Sequence, residues 1–426
     1  MTKAYNSYKS SEIDWIEQIP SHWSEKRIKY LFSEKPSTQN TDLNSGSISF
    51  GSVVYKDDNS IPESTKLSYQ EVLVGEFLIN PLNLNYDLKS LRTALSDKNV
   101  VVSQGYIVLR LEERDTDQSF FKHLLRVFDV EHMKSLGSGV RQTISFNHLG
   151  TEALPLPPIK EQKAIASFLD TTTSLIDSLI EKTQRKIELL REKRTSLINV
   201  VVTKGLNPNV EMKDSGVEWI GEVPSHYEIG KLKHLCNENQ RSLSNSTDPN
   251  YELNYIEISD VNSEGVIENH TPYTFGESPS RCRRIVQKGD VIVSTVRTYL
   301  KSIGLIEDKV DDLICSTGFS VLTPLERINS KYLFYLLRTE WFISKVISKS
   351  EGVSYPSIQS EKLMNIDVVH CELLEQKQIV EFLDEQIHRI DKTVSNEEEK
   401  IKLLKEYRQS LISSVVTGKI KVTEDA

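Results

Sequence analysis

The chain has 426 residues, enough for two or three domains, and the composition of a globular protein, with 38% hydrophobic and 27% charged residues. A net charge of −9 argues against a nonspecific polyanion binder, so any nucleic-acid contact must come from local basic patches. No apolar run approaches membrane-spanning length and the start, MTKAYNSYKSSEIDW, lacks a secretory apolar core, so a cytoplasmic location with no membrane partner is expected.

Residues 12–31, EIDWIEQIPSHWSEKRIKYL, open the chain with a Pro-Ser-His corner. Short β-branched or aromatic runs broken by Gly, Asn, Ser and Asp follow, among them 47–54, 74–80 (VGEFLIN) and 103–109 (SQGYIVL), and predict a mixed domain of short strands and turns. A Gly-containing turn at 138–149, SGVRQTISFNHL, leads through Pro155, Pro157 and Pro158 into a long helix. Gly205, Asn207 and Pro208 break that helix, and the plan then repeats. Residues 216–235 carry a second Pro-Ser-His corner, with Trp219, Pro224, Ser225 and His226 matching Trp15, Pro20, Ser21 and His22. Two copies of a histidine at a Pro-Ser corner point to a turn-stabilising role rather than to catalysis. KGDVIVS (288–294), STGFSVL (316–322) and YLLR (335–338) answer VGEFLIN, SQGYIVL and HLLR (123–126). Between these matched frames the loops diverge, 83–95 in one copy and 295–306 in the other, as expected of two related heads with different targets. Drift of unselected surface loops after duplication would leave the same pattern.

The strongest repeat is 161–203 against 375–417, aligned without a gap at an offset of 214 with roughly half the positions identical. Apolar residues at steps of three and four predict a helix with one narrow seam in each copy: Ile165, Leu169, Ile176, Leu179, Ile187, Leu190 and Leu197 in the first, and Ile379, Leu383, Ile390, Ile401, Leu404 and Leu411 in the second. About 43 residues of helix span roughly 65 Å. Such seams need a partner. Packing of the two copies against each other, antiparallel, is the simplest answer, and pairing between chains through the same seams is the alternative. The second lead-in, residues 372–376, lacks the prolines of the first and is expected to enter its helix at another angle, and KIKVTEDA is expected to be a frayed tail. The resulting layout is 1–158 and 207–370 as heads, with 159–206 and 371–426 as helical segments.

No catalytic constellation appears. The chain has neither a GxxxxGK[ST] loop nor a GxGxxG after a strand, and Asn80-Pro81-Leu82-Asn83 lacks the second proline and the aromatic of a base-gripping motif, so it reads as a turn. Cys236, Cys282, Cys315 and Cys371 have no metal-ligand spacing and read as reduced and mostly buried, so no metal is expected. Basic and amide residues do cluster. Arg281, Arg283, Arg284, Lys288, Arg297 and Lys301, with Tyr299 and Tyr355, are candidates in the second head. Asn83, Asn85, Tyr86, Lys89, Arg92, Arg141 and Gln142 are candidates in the first. Arg and Lys can neutralise phosphates or fork onto guanine, and Asn and Gln can pair with adenine edges. A solvated charged face is the plainer reading of any one of them.

The tandem heads, the W-I-x-x-x-P-S-H corner, the P-L-P-P-I-K-E-Q lead-in and the duplicated long helices together resemble the specificity subunit of type I restriction-modification systems, over essentially the whole chain. The resemblance implies an α+β fold of two homologous mixed α/β target-recognition domains separated by two long antiparallel helices. It implies a noncatalytic subunit that reads a bipartite, asymmetric site in double-stranded DNA, one half per head, with the helices setting the spacing. It also implies two modification subunits that methylate adenine, and restriction subunits that cut. S-adenosylmethionine and ATP with Mg would then belong to those partners, with no cofactor bound by this chain. A noncatalytic coiled-coil scaffold that binds proteins is the alternative. A rod of about 65 Å caps the separation of the half-sites at about 19 base pairs, and lengthening it near Gln184 should lengthen the unread spacer.

Overall fold

A computed structural model describes residues 4–82, 91–136, 143–307 and 310–422. The chain divides into two compact units, Met1–Gln184 with Glu399–Ala426, and Arg185–Glu398. Each unit is a head on a pair of helical segments, and the heads repeat one frame.

In the first unit an antiparallel sheet runs Phe32–Glu34, Ile107–Leu111, Phe77–Ile79, Thr93–Leu95. In the second it runs Cys236–Glu238, Phe319–Pro324, Val291–Ser294, Ile303–Leu305, the same order built from the matched sequence frames. Their apolar residues explain the choice, since Phe77, Leu78 and Ile79 are buried like Val291, Ile292 and Val293. Each frame also carries an acid after a glycine. Glu76 accepts from Leu73 N at 2.8 Å and pairs with buried Lys35 at 3.0 Å, while Asp290 accepts from Gln287 N at 2.8 Å and pairs with Arg241 at 2.5 Å. Two smaller ribbons recur as well. Tyr8–Ser10 pairs with Gln18–Pro20 as Met212–Asp214 pairs with Glu222–Pro224, and Ser24–Arg27 pairs with Ala153–Leu156 as Glu228–Lys231 pairs with Asp367–His370.

The first long helix is Ile159–Lys204 and the second Leu373–Val416, so both begin at equivalent positions. The two lead-ins, with and without prolines, are held by matched hydrogen bonds. Gln162 and Gln376 are both buried, each donates to the carbonyl of the residue five before it (Pro157 and Cys371, both 2.8 Å), and each accepts from the head's next turn (Asp117 N at 2.9 Å and Asn329 N at 2.8 Å). These side chains tie each helix start to its own lead-in and head.

Within each unit the helical segments run antiparallel. In the second, Lys186, Arg191 and Arg194 meet Glu397, Glu398 and Asp391. In the first, Arg408 Nη2 donates to Asp177 Oδ2 at 2.9 Å, and Ile165, Leu169 and Ile176 share a core with Leu411, Ile412, Val415 and Val416. The seams therefore pair inside the chain in each unit. Of the expected seam, Ile165, Leu169, Ile176, Ile187, Ile379, Leu383, Ile390 and Leu411 are buried, and Leu190, Leu197, Ile401 and Leu404 are half-buried. Leu179 is a correction. It is 40% exposed, because the observed seam steps through Thr173, Ile176, Ile180, Thr183 and Ile187 and leaves Leu179 one residue off that line.

The helix ends close against the corners. Glu161 Oε2 accepts from His22 Nε2 at 2.8 Å and Trp23 Nε1 at 3.1 Å, and Glu375 takes His226 at 2.9 Å and the Tyr227 hydroxyl at 3.2 Å. Asp170 anchors His123 at 2.8 Å as Asp384 anchors the Tyr335 hydroxyl at 2.6 Å, tying each head helix to its long helix. The corner histidines are structural. The tail departs from expectation: Ile420 N bonds Ser414 O at 3.0 Å, and Ile420 and Val422 pack on the first unit's core, while 423–426 lie outside the described residues. All four cysteines are buried free thiols.

Candidate nucleic-acid interface

In the second head, the connection between Val291–Ser294 and Ile303–Leu305 is built rather than loose. Thr295 N donates to Gly318 O at 2.8 Å, Arg297 N to Pro356 O at 2.7 Å, and Ile358 N back to Thr295 O at 2.8 Å, pinning it to the 350–358 turn. That turn is closed by paired bonds between Glu351 and Ser357, 2.8 and 2.9 Å. Thr298–Leu300 form a 3-10 turn flanked by Arg297 and Lys301, both left-handed at φ 51° and 57°. Left-handed backbone at a side chain other than glycine is strained, and both cations at these positions are exposed.

The Arg297 guanidinium sits 4.9 Å from the centre of the Tyr355 ring, a stacked cation–π pair on a surface where Tyr355 is 65% exposed. Arg281, Glu257, Ser259 and Leu300 join this pair around an open cleft of about 530 Å³. A flat cation on a flat ring beside hydrogen-bonding side chains can bind phosphate, fork onto a base edge or stack on a base. Among the described residues of this head, the structure thus brings together Arg281, Arg297, Tyr299, Lys301 and Tyr355 on one connection and its neighbours.

It does not bring in the remainder. Arg283 lies 4.8 Å over the Phe275 ring with Nη1 on Cys282 O at 2.8 Å, and Arg284 is half-buried at a strand irregularity, its Nε without a hydrogen-bond partner among the described residues. Lys288 belongs to the turn before Val291–Ser294, at the opposite end of that strand from Arg297. Sequence proximity had grouped residues that a strand separates. Glu257 and Ser259 were not anticipated, because nothing local marks a turn that packs beside a distant connection.

The equivalent connection of the first head lies between Phe77–Ile79 and Thr93–Leu95. Asn80 Oδ1 accepts from Leu82 N at 3.1 Å, an Asx turn over 80–82, while Asn83 of the expected turn lies outside the described residues. Arg92 is half-buried; its Nη1 donates to Leu82 O at 2.7 Å and its backbone N to Asp129 Oδ2 at 2.5 Å, so part of its guanidinium is engaged within the head. Asn83, Asn85, Tyr86, Lys89, Arg141 and Gln142 lie outside the described residues.

The family model for the type I restriction modification DNA specificity domain matches residues 20–189 and 224–406. The chain is 23% identical to the type I restriction enzyme MjaVIII specificity subunit of Methanocaldococcus jannaschii, over 95% of this chain and 94% of that protein. It is 22% identical to the EcoBI specificity subunit of Escherichia coli, over 75% and 69%. Among solved structures, the HsdS subunit from Thermoanaerobacter tengcongensis superposes with a TM-score of 0.53 at 16% identity, covering 94% of this chain and 98% of that one. A chain of the structure described as "Structural basis underlying complex assembly and conformational transition of the type I R-M system" reaches 0.68, also at 16%, covering 94% and 99%. These likenesses show a shared fold, and with both halves of the sequence matched the chain belongs to the type I restriction modification DNA specificity family.

Proposed function

We propose that this chain is the DNA-recognition subunit of a type I restriction-modification complex, each head reading one half of a bipartite site. The observation that carries this reading is the common frame with unlike connections. The same hairpin carries Arg297, Lys301 and the Tyr355 contact in one head, and Arg92 bonded to Leu82 O in the other. A shared scaffold with different loops is how two different half-sites would be read.

The chain is a noncatalytic component in this reading. Two modification subunits dock on it, carry S-adenosylmethionine and methylate adenine, and restriction subunits carry ATP with Mg. Selection from a randomised duplex pool, with and without the modification subunit, tests it. Enrichment of two short sequences at fixed spacing is expected, and a pool that emerges unenriched overturns the proposal. Equilibrium dialysis of the chain alone against labelled S-adenosylmethionine should show no binding.

A further inference from the structure

Strands Gly46–Ser49 and Ser52–Tyr55 pair in register Ser49 to Ser52, so Phe50 and Gly51 form a two-residue turn, with φ of 48° and 77°. Such turns favour Asn-Gly or Asp-Gly, since an L-residue bearing a bulky side chain resists the left-handed region. Phe50 is also 84% exposed. Neither local preference nor burial accounts for a phenylalanine there. An aromatic held outward against its own backbone preference points to use at a surface contact.

Its position says which contact. A methyl group on Gly51 would lie 2.8 Å from Leu91 Cδ1, so the hairpin tip packs against the end of the first head's variable connection. The second head repeats this placement. Ser45, just before the hairpin, bridges Val101 in parallel, as Tyr255 pairs with Ile314 in parallel. Beyond Tyr255, the Ile258–Asp260 turn packs at Gly318 beside Val296, with Ile258 and Ser259 lining the Arg297–Tyr355 cleft. Each head therefore sets the segment after this strand beside its reading connection, and each exposes an aromatic ring next to it.

Building on the DNA-recognition reading, we infer that Phe50 is a specificity-determining residue of the first head, an apolar wedge that meets a base step of the duplex. A phenyl ring has no donor or acceptor with which to read a base edge; it stacks on or between bases, and steps that unstack easily, TA and CA/TG, receive it best. The first head's half-site should contain such a step.

Phe50→Asn tests this, because asparagine suits the left-handed turn and the variant should fold with an unchanged or higher Tm. The full chain, co-expressed with its modification subunit, is selected against a randomised duplex pool. The variant should lose enrichment at one half-site only and bind the wild-type consensus duplex about ten- to a hundredfold more weakly. 2-Aminopurine at the proposed step should brighten with wild type and not with the variant. Unchanged enrichment at both halves overturns the inference, as does loss of co-purifying modification subunit, which would make Phe50 a protein anchor. A wild-type chain that enriches nothing defeats the underlying DNA-recognition reading instead.

Discussion

Asp129 shows how single residues in the heads are set by burial. It is fully buried, its Oδ1 has no hydrogen-bond partner among the described residues, and desolvation pushes its carboxyl up to about 6 despite the bond from Arg92 N. With the folded value above the unfolded one, the folded state holds a proton that the unfolded chain releases between about pH 4 and 6. Stability contributed by the neutral acid is present below that window and lost as pH rises through it. Asp129→Asn should therefore stabilise the protein at pH 7.5 by roughly 1–2 kcal/mol and have no benefit near pH 4, by urea melts at both values. At the candidate interface, Arg297→Ala should weaken specific binding by about 1–3 kcal/mol at one half-site without lowering Tm. Arg92→Ala should instead lower stability by about 1 kcal/mol, through its lost bond to Leu82 O. Titration calorimetry and thermal melts on the pair separate the two roles.

At the scale of elements, several of the positions identical between the long helices make matched tethers. Glu161 and Glu375 hold the corners, Gln162 and Gln376 the next turns, Asp170 and Asp384 the head helices. Arg408 with Asp177 and Arg194 with Asp391 close the helical pairs in their own units. Both arginines stand on the seam's three-four rhythm, where a charge is tolerated only because a carboxylate meets it. A second arginine stands near each one, Arg126 half-buried and Arg338 buried: desolvation, helped by the neighbouring charge, pushes both down to about 10. The periodicity was readable in the sequence to within one residue, and Leu179 shows why it stopped there. A 3.6-residue helix offers several neighbouring lines, and the partner's packing decides which one is buried. The helix ends invite a sharper test. Gly205 and Gly418 cap the helices at φ 73° and 78°, but a methyl group at 418 would lie 2.3 Å from Pro20 Cδ, whereas at 205 it would lie 3.0 Å from the Tyr227 hydroxyl. Gly418→Ala should thus cost more than about 3 kcal/mol and Gly205→Ala about 1–2 kcal/mol by denaturant unfolding.

Across the whole molecule, duplication made the architecture legible, since two gapless copies of a helix and two copies of a corner define one plan used twice. The candidate interface was less legible, because it depends on which distant turns pack together. Arg297 and Tyr355 are 58 positions apart, Phe50 and Leu91 are 41 apart, and Lys288 is close to Arg297 only along the chain. Each long helix runs unbroken and contributes residues to both units, so helix length is the variable that should set the unread spacer. An insertion into one helix alone would put its seam out of phase with the partner's. Seven residues inserted after Gln184 and seven after Glu398 preserve the three-four rhythm in both, and add about 10 Å of helix, or about three base pairs of duplex. Methylation mapping in cells carrying the doubly extended chain should show both half-sites unchanged in sequence and the gap between them longer by about three base pairs. An unaltered gap would mean that the heads, and not the helices, measure the distance.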